Sequence, residues 1–197
     1  MANYFSKFGK LSIADTNKSV IITNLLKRVG VLNSVKENTL VYYTYDLQDG
    51  DTPELVAEKF YGDAERHWII LLLNDIIDPL FDWPLSYFNF TKYIISKYGS
   101  TATAESTIHH YEKIITKTDS SVSGGTSSQI FIIDQYTYAN TPISIVNKGS
   151  ITVETSKQSI SVYDYEEQLN ESKRSIKLLK KEYASQIEDE LTSLMSN

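Results

Sequence analysis

The sequence contains no cysteine and only three histidines among its 197 residues. Without thiols it can form neither disulfides nor thiolate metal sites. Basic residues are also in deficit, because 19 Lys and Arg stand against 25 Asp and Glu and give a net charge of −6. Surfaces that bind phosphate backbones depend on clustered cations, so we do not expect nucleic acid as a partner.

Long apolar runs are absent as well. The longest run, Trp68 to Leu73, is far shorter than the ~20 residues that a membrane-spanning helix needs. The first residues lack the charged-then-apolar order of a signal peptide. We therefore expect no membrane partner and a soluble product that is made in the cytoplasm and not exported.

Catalytic motifs are missing too. There is no HExxH, no glycine-rich phosphate loop and no GxSxG. His109 and His110 are neighbours in a predicted strand and should point to opposite faces, so they are not expected to share a metal. His67 is interpreted as a surface residue with a local contact. We therefore expect no catalytic residues, no metal, no cofactor and no small-molecule substrate.

The segment from Val41 to Tyr87 carries the clearest structural pattern. Alternating apolar and polar residues over 41–47 predict a strand, and residues 48–50 are turn formers. Asp51 or Thr52 can cap the helix that follows, and Gly62 can end it in the left-handed conformation. Fourteen tyrosines in the chain fit either strands or a protein interface, and composition leaves both open.

The second half of the segment continues the pattern. Asp63 can start a second helix, and the run from Trp68 to Leu73 predicts that most sides of this helix are buried. Phe81, Trp83 and Leu85 then alternate as a returning strand would. The predicted order is strand, helix, helix, strand.

These residues resemble the LysM module. The resemblance is carried by Tyr45, Gly50, Asp51, Thr52, Tyr61, Gly62, Asp63, Trp68, Asn74, Asp78 and Pro79. It implies a groove for N-acetylglucosamine glycans at the turns of the module, which would involve Gly50, Asp51, Thr52, Asn74, Ile76 and Ile77.

A narrower resemblance lies within the same segment. Tyr61, Gly62, Trp68, Asn74, Asp75, Asp78, Pro79 and Trp83 are similar to the LysM-like part of the baseplate wedge proteins encoded by gene fifty-three of T4-like contractile-tailed phages. That family also has a leader before the module, a β-rich insertion after it and a long helix at the end. The resemblance implies a structural protein of the virion tail baseplate, with other wedge proteins as partners in assembly.

Residues 1–40 and 86–100 flank this segment. Residues 1–40 contain a strand-like run, Val20 to Ile22, and a short helix of residues 25–29 closed by Gly30. These pieces are too short to form a core, so they form either a partner-facing arm or an intramolecular flap. Spacings of three and four predict a helix over 86–100 that ends at Gly99.

Residues 101–160 are rich in Ser and Thr and are predicted to form a β-rich insertion. Ile108 to Thr116 and Gln129 to Tyr138 alternate as a hairpin does, around a flexible loop over 119–128. Residues 143–146 and 150–153 could add two short strands. Because a two-stranded hairpin alone is marginal, three or more strands are expected.

Residues 161–197 contain neither Gly nor Pro, and their apolar residues step by three and four. This spacing predicts one amphipathic helix of about thirty residues, longer than the module can cover. Part of its apolar stripe should therefore bind another chain. The candidate interaction residues, from the arm and this helix, are Leu25, Leu26, Val29, Tyr165, Leu169, Ile176, Leu179, Tyr183, Ile187 and Leu191.

The predicted class is α+β. It divides into an arm over 1–40, a LysM-like βααβ module with the following helix over 41–100, the insertion over 101–160 and the helix over 161–197. The leading hypothesis is a wedge subunit that makes protein contacts within and between wedges. The alternative is a LysM-type binder of peptidoglycan.

Overall fold

In a computed structural model the chain is a mixed α+β protein, as predicted. The structure describes residues 7–15, 18–26, 29–31 and 33–196. Two compact units are present: unit 1 comprises residues 1–86 and 172–197, and unit 2 comprises residues 87–171. The chain thus leaves unit 1 once and returns to it, whereas the sequence predicted four consecutive segments.

The elements follow each other in this order. The first part contains β1 (Lys10–Asp15), β2 (Lys18–Thr23), α1 (Asn33–Lys36), β3 (Tyr42–Asp46), α2 (Pro53–Tyr61), α3 (His67–Leu73), α4 (Pro79–Asp82), α5 (Tyr87–Tyr98) and α6 (Thr101–Ser106). The second part contains β4 (Ile108–Asp119), β5 (Thr126–Ile133), α7 (Gln135–Asn140), β6 (Ser144–Lys148), β7 (Ile151–Ser161), α8 (Val162–Glu171), β8 (Ser175–Leu179) and α9 (Lys181–Ser196).

Unit 1 is built around an antiparallel pair of strands far apart in sequence. β3 pairs with β8, with Tyr42 opposite Leu179 and Asp46 opposite Ser175. α2 packs on α3, and α3 packs on β8. The buried core consists of Phe8, Leu47, Val56, Ala57, Tyr61, Trp68, Ile69, Ile70, Leu73, Trp83, Ile176, Leu178, Leu179, Ala184, Leu191 and Met195.

The two helices of unit 1 begin and end where local chemistry predicts. Thr52 is the N-cap of α2, since its hydroxyl accepts from the N–H of Leu55 at 3.3 Å, and Pro53 follows it. Gly62 ends α2 in the left-handed region with φ 74°. Asp63 caps a short 3-10 turn that leads into α3. The predicted caps and the buried second helix are therefore confirmed.

The predicted return strand over 81–85 is wrong. Asp78 caps α4 by accepting from the N–H of Leu80 at 3.0 Å, and Phe81 lies within this helix. Trp83 is buried in the core instead of alternating along a strand. β3 pairs with β8 and not with residues 81–85. Alternation alone does not make a strand of these residues, because a strand is stabilised by its cross-strand pairs.

The predicted continuous helix over 161–197 is also wrong. It is divided into α8, β8 and α9. In β8, Ile176, Leu178 and Leu179 are buried in the core of unit 1, and the backbone pairs with β3. Their spacing fits a helical stripe equally well, but pairing with a distant strand overrode the local pattern.

The N-terminal region forms a hairpin of β1 and β2, with Leu11 opposite Ile22 and Ile13 opposite Val20. The predicted strand over 20–22 is confirmed. The predicted helix over 25–29 is not seen where it can be checked, because Leu25 and Leu26 form a turn; residues 27–28 lie outside the described residues.

Unit 2 contains a four-stranded antiparallel sheet in the order β5-β4-β7-β6. The predicted hairpin, the short strand after it and the helix ending at Gly99 are confirmed. The strand predicted over 150–153 exists but continues to Ser161 as β7. The strand predicted to reach Tyr138 ends at Ile133, because Asp134 caps α7 by accepting from the N–H of Thr137 at 3.0 Å.

Few side chains are buried in unit 2. The buried apolar residues are Phe90, Ile94, Ala104, Ile160 and Val162. The buried carboxylate of Glu166 accepts from Tyr98 at 2.6 Å, from Lys97 at 2.8 Å and from Tyr93 at 3.1 Å. Burial opposes its ionisation, but these bonds outweigh burial and lower the pKa of Glu166. This network joins α5 to α8.

Candidate protein-binding surfaces

The carboxylate of Asp51 is a buried junction of hydrogen bonds in unit 1. One oxygen accepts from the Tyr45 hydroxyl at 2.9 Å and the Gln48 N–H at 3.0 Å; the other accepts from Lys59 Nζ at 2.6 Å. The indole N–H of Trp83 donates to the Asp51 carbonyl at 2.8 Å. This junction ties the end of β3 to α2 and to the segment after α4.

The same junction determines the ionisation of Asp51. Burial by itself would raise the pKa of this carboxyl, but hydrogen bonds from Lys59, Gln48 and Tyr45 outweigh it and lower the pKa. The pKa of Tyr45 is raised by burial and by its bond to Asp51. Asp51 is therefore a fixed anion engaged on both oxygens, which suits a structural role better than a binding one.

Asn74 and Tyr61 hold the returning C-terminal segment. The Asn74 amide donates to the Lys177 carbonyl at 2.8 Å and accepts from the Lys177 N–H at 2.8 Å. It also donates to the Ile70 carbonyl at 2.8 Å, at the end of α3. The Tyr61 hydroxyl donates to the Leu179 carbonyl at 3.0 Å, and burial raises its pKa. Both residues thereby fasten β8 to the two helices.

The remaining LysM-like residues also have structural positions. Gly50 forms a turn with φ 82°, and Gly62 ends α2. Trp68 is buried in the core, and Asp78 and Pro79 open α4. The LysM resemblance itself stays a prediction.

The residues predicted for glycan binding are only partly grouped. Asn74 and Ile76 line a cavity of about 340 Å³ with Asp75, Asp82, Lys173, Ser175 and Ile176. Gly50, Asp51, Thr52 and the exposed Ile77 do not line it. The polar groups of Asp51, Thr52 and Asn74 already make bonds within the chain.

The predicted interaction residues fall into three groups. Ile176, Leu179 and Leu191 are buried in the chain's own core, while Val29, Tyr183 and Ile187 are half-buried against that core. Tyr165 stacks on the His109 ring at 3.8 Å within unit 2. Leu25, Leu26 and Leu169 are exposed, with 61%, 88% and 43% of their surface accessible. Only this last group offers open apolar surface.

An apolar groove lies where the N-terminal segment meets α3 and α9. It has a volume of about 370 Å³. Its lining consists of Val29, Gly30, Val31, Val35, Trp68, Leu72, Ile187, Glu190, Leu191 and Leu194. Val29, Ile187 and Leu191 among the predicted residues therefore share one surface in unit 1.

The β1–β2 hairpin presents an apolar face that sequence reasoning missed. Cross-strand pairing and strand alternation put Leu11, Ile13, Val20 and Ile22 on one face. All four are exposed. The other face includes Ser12 and Ser19, whose hydroxyls lie 2.8 Å apart. The alternation of Leu11 and Ile13 was the signal that could have revealed β1.

The two adjacent histidines do not point to opposite faces as predicted. A shift in strand register between Ile108 and His110 brings the Nδ1 atoms of His109 and His110 to 2.8 Å. His110 Nε2 lies 3.0 Å from a carboxylate oxygen of Glu112. His67 makes the predicted kind of local contact, with Nδ1 3.0 Å from the Ala64 carbonyl.

Neither a metal site nor a membrane-spanning helix is present in the described ranges. These residues include no group of three or more His, Asp or Glu side chains placed to hold a metal ion. Within the same ranges, every helix is too short or too polar to cross a bilayer.

Comparison with known proteins gives a consistent result. The chain is 35% identical over 40 residues to the baseplate wedge protein gp53 of Enterobacteria phage T4, and the aligned stretch covers 20% of each protein. A family model described as base plate wedge protein 53 matches residues 3–194, nearly the whole chain. The chain belongs to the base plate wedge protein 53 family of phage tail baseplates.

Proposed function

We propose that the chain joins wedge subunits to each other, and neighbouring wedges to each other, during assembly of a contractile phage tail. The family establishes a structural protein of the baseplate wedge in the virion tail. The observation that carries the finer proposal is the exposed apolar face of the β1–β2 hairpin.

An isolated two-stranded hairpin is at best marginally stable in water. Here Leu11, Ile13, Val20 and Ile22 form a continuous apolar face, and all remain exposed in the folded chain. Contiguous exposed apolar surface of this kind marks protein contact sites. The hairpin and the exposed Leu25 and Leu26 that follow it form the N-terminal arm, which contacts another wedge subunit.

The proposed role consists of protein contacts alone. The chain acts without a catalytic residue, a cofactor or a nucleic-acid partner, and is made in the host cytoplasm before it enters the virion. We place the domain borders of the chain at those of the two units, and β8 completes the LysM-like module. The LysM-like residues serve folding, because the polar groups of Asp51, Asn74 and Tyr61 are hydrogen-bonded within unit 1.

The test compares two faces of one hairpin. Ile13→Asp places a charge on the apolar face, whereas the matched Ser12→Asp places the same charge on the neighbouring position of the opposite face. Each variant is mixed with the other purified wedge subunits, and the complex is measured by sedimentation. We expect Ile13→Asp to be lost from the complex and Ser12→Asp to be retained.

Equal incorporation of both variants would show that the hairpin face is not the contact. A wild-type chain that stays separate from every other wedge subunit would overturn the proposed function as a whole. The glycan-binding alternative is tested by a pulldown on insoluble peptidoglycan, from which we expect no retention.

A further inference from the structure

Among the strands that the structure describes, none lies beside the outer edge of β5. β5 pairs with β4 on one side and is the end strand of the sheet in unit 2. An end strand of this kind presents a row of unpaired backbone N–H and C=O groups, which another extended chain can bind.

The hydrogen bonds at the hairpin turn show which groups face outward. The Asp119 N–H donates to the Gly125 carbonyl at 2.8 Å, so this pair bonds across β4 and β5. The Ser120 N–H donates to the Ser150 carbonyl at 2.9 Å, so the alternate residues of β4 bond toward β7. Because bonded and non-bonded pairs alternate in antiparallel strands, every second residue of β5 directs its backbone away from β4. These residues are Thr126, Ser128, Ile130 and Ile132. The N–H of Thr126 already donates to the Gly124 carbonyl at 2.8 Å, so the outward N–H groups open to a partner are those of Ser128, Ile130 and Ile132.

β5 lacks the features that protect natural edge strands. It has eight residues without charge, proline or glycine, and its sequence is TSSQIFII. Seven of the eight are exposed, including Ile130 and Ile132, the latter with 75% of its surface accessible. The opposite edge, β6, is only five residues long and ends in Lys148. Charged residues and short strands are common means of blocking unwanted pairing, so of the two edges of this sheet β5 is the less protected.

We propose that the outer edge of β5 binds an extended segment of another wedge subunit as a fifth strand of the sheet. This inference rests on the proposed function and names one interface for it. Main-chain bonds to Ser128, Ile130 and Ile132 supply the affinity, and the side chains beside them supply the selectivity.

The sequence of β5 argues against a second copy of the same chain. Outward residues must lie opposite each other in an antiparallel pair of two β5 edges. At near-full overlap, Ile132 would then lie opposite Ser128 of the other copy, and Ile133 opposite Ser127. Such pairing sets the apolar half of each strand against the polar half of the other, so it gains little from cross-strand packing. The segment that fits is uncharged, with apolar residues beside Ile130 and Ile132 and small hydroxyl residues beside Ser128 and Thr126.

The experiment places the same charge at the two edges of one sheet. Ile132→Lys adds a cation at the open edge, and Ile145→Lys adds it at the exposed β6 edge as the matched control. Each full-length variant is titrated with the other purified wedge subunits. We expect Ile132→Lys to weaken incorporation at least tenfold and Ile145→Lys to leave it unchanged.

Ser128→Pro gives a second test, since it removes one outward N–H without removing a bond to β4. Hydrogen exchange on the wild-type chain gives a third that needs no variant. The amides of Ser128, Ile130 and Ile132 should exchange quickly in the free chain and slowly in the wedge complex.

Three outcomes would overturn the inference. If wild type enters the complex and both lysine variants enter equally well, the β5 edge is not the interface, while the proposed function stands. Unchanged exchange of these amides on assembly has the same meaning. If the free chain forms a dimer that Ile132→Lys abolishes, the occupant is a second copy. Failure of wild type to enter any complex would instead refute the proposed function.

Discussion

Unit 1 and unit 2 differ in how many of their apolar residues they bury. Among the described residues, unit 1 gathers sixteen buried apolar side chains into one cluster, whereas unit 2 buries five. Most apolar residues on the edge strands of unit 2, such as Ile130, Ile132 and Ile145, are exposed. Unit 1 therefore has the core of a self-sufficient fold, and unit 2 holds a sheet whose edge residues remain open for contact.

The core of unit 1 holds the fold together. The surfaces proposed for assembly are the exposed hairpin of unit 1 and the open edge of unit 2. Substitutions in the unit 1 core should change folding, and substitutions along the open edge of unit 2 should change binding with little effect on folding. Both tryptophans, Trp68 and Trp83, are buried in unit 1, so their fluorescence reports on that unit alone.

The largest effect is expected from deleting residues 172–197. The deletion removes β8 and α9, which supply six of the sixteen core residues: Ile176, Leu178, Leu179, Ala184, Leu191 and Met195. We expect unit 1 to remain unfolded, with no cooperative tryptophan transition in urea. A truncated chain with the transition of the full chain would show that the C-terminal segment is not part of the core.

A single substitution in the core of unit 1 should have the next largest effect. Leu178→Ala removes a side chain that is 1% exposed, and such changes lower the free energy of unfolding by about 2–5 kcal/mol. The matched Ile132→Ala in unit 2 removes an exposed side chain and should cost no more than about 0.5 kcal/mol. Urea unfolding followed by fluorescence and circular dichroism measures both. Similar losses at the two positions would remove the contrast between the units.

Asn74→Ala tests the attachment of β8 to the helices. The substitution leaves the N–H and carbonyl of Lys177 without their partner, which should lower the free energy of unfolding by about 2 kcal/mol. Asn147→Ala in unit 2 serves as the control, because its side chain accepts only an exposed bond from Thr152. We expect the urea transition, followed by fluorescence for unit 1 and by circular dichroism for both units, to shift for the first variant and not for the second.

The smallest effect concerns pH. The pKa of Asp51 is lowered from 3.8 in the folded chain, so its ionised form stabilises the fold above about pH 3.8, and this contribution is lost as pH falls through the folded pKa. Asp51→Asn should lower the free energy of unfolding by about 1 kcal/mol at pH 7. At pH 3 the gap between variant and wild type should be narrower. A gap that widens toward acid would contradict the assigned charge.

Local signals predicted much of unit 1. The cap at Thr52, the left-handed Gly62 and the buried run in α3 each depend on neighbours in sequence, and each was predictable. The partner of β3 was not, since β8 lies more than a hundred residues later and its side-chain spacing also fits a helix. A strand whose burial depends on a distant pairing gives no clear local period.

The binding surfaces were predictable only in part. For residues 1–40 the sequence left both a partner-facing arm and an intramolecular flap open; Leu25 and Leu26 are exposed, whereas Val29 and Val31 pack against the core of unit 1. The sequence predicted Ile176, Leu179 and Leu191 as partner-facing, because one continuous helix would have been too long for the module to bury them. Once β8 joins unit 1, these residues complete its own core. The open edge of β5 depends on strand order, which the sequence pattern does not specify.

Hydrogen exchange of the chain, free and within an assembled wedge, tests the central separation most directly. The account predicts that amides in the β3–β8 pair are protected in both states. It also predicts that amides of the β1–β2 hairpin and of the outer edge of β5 become protected only in the wedge. Equal exchange of the hairpin and β5 amides in the two states, or gain of protection confined to β3 and β8, would contradict it.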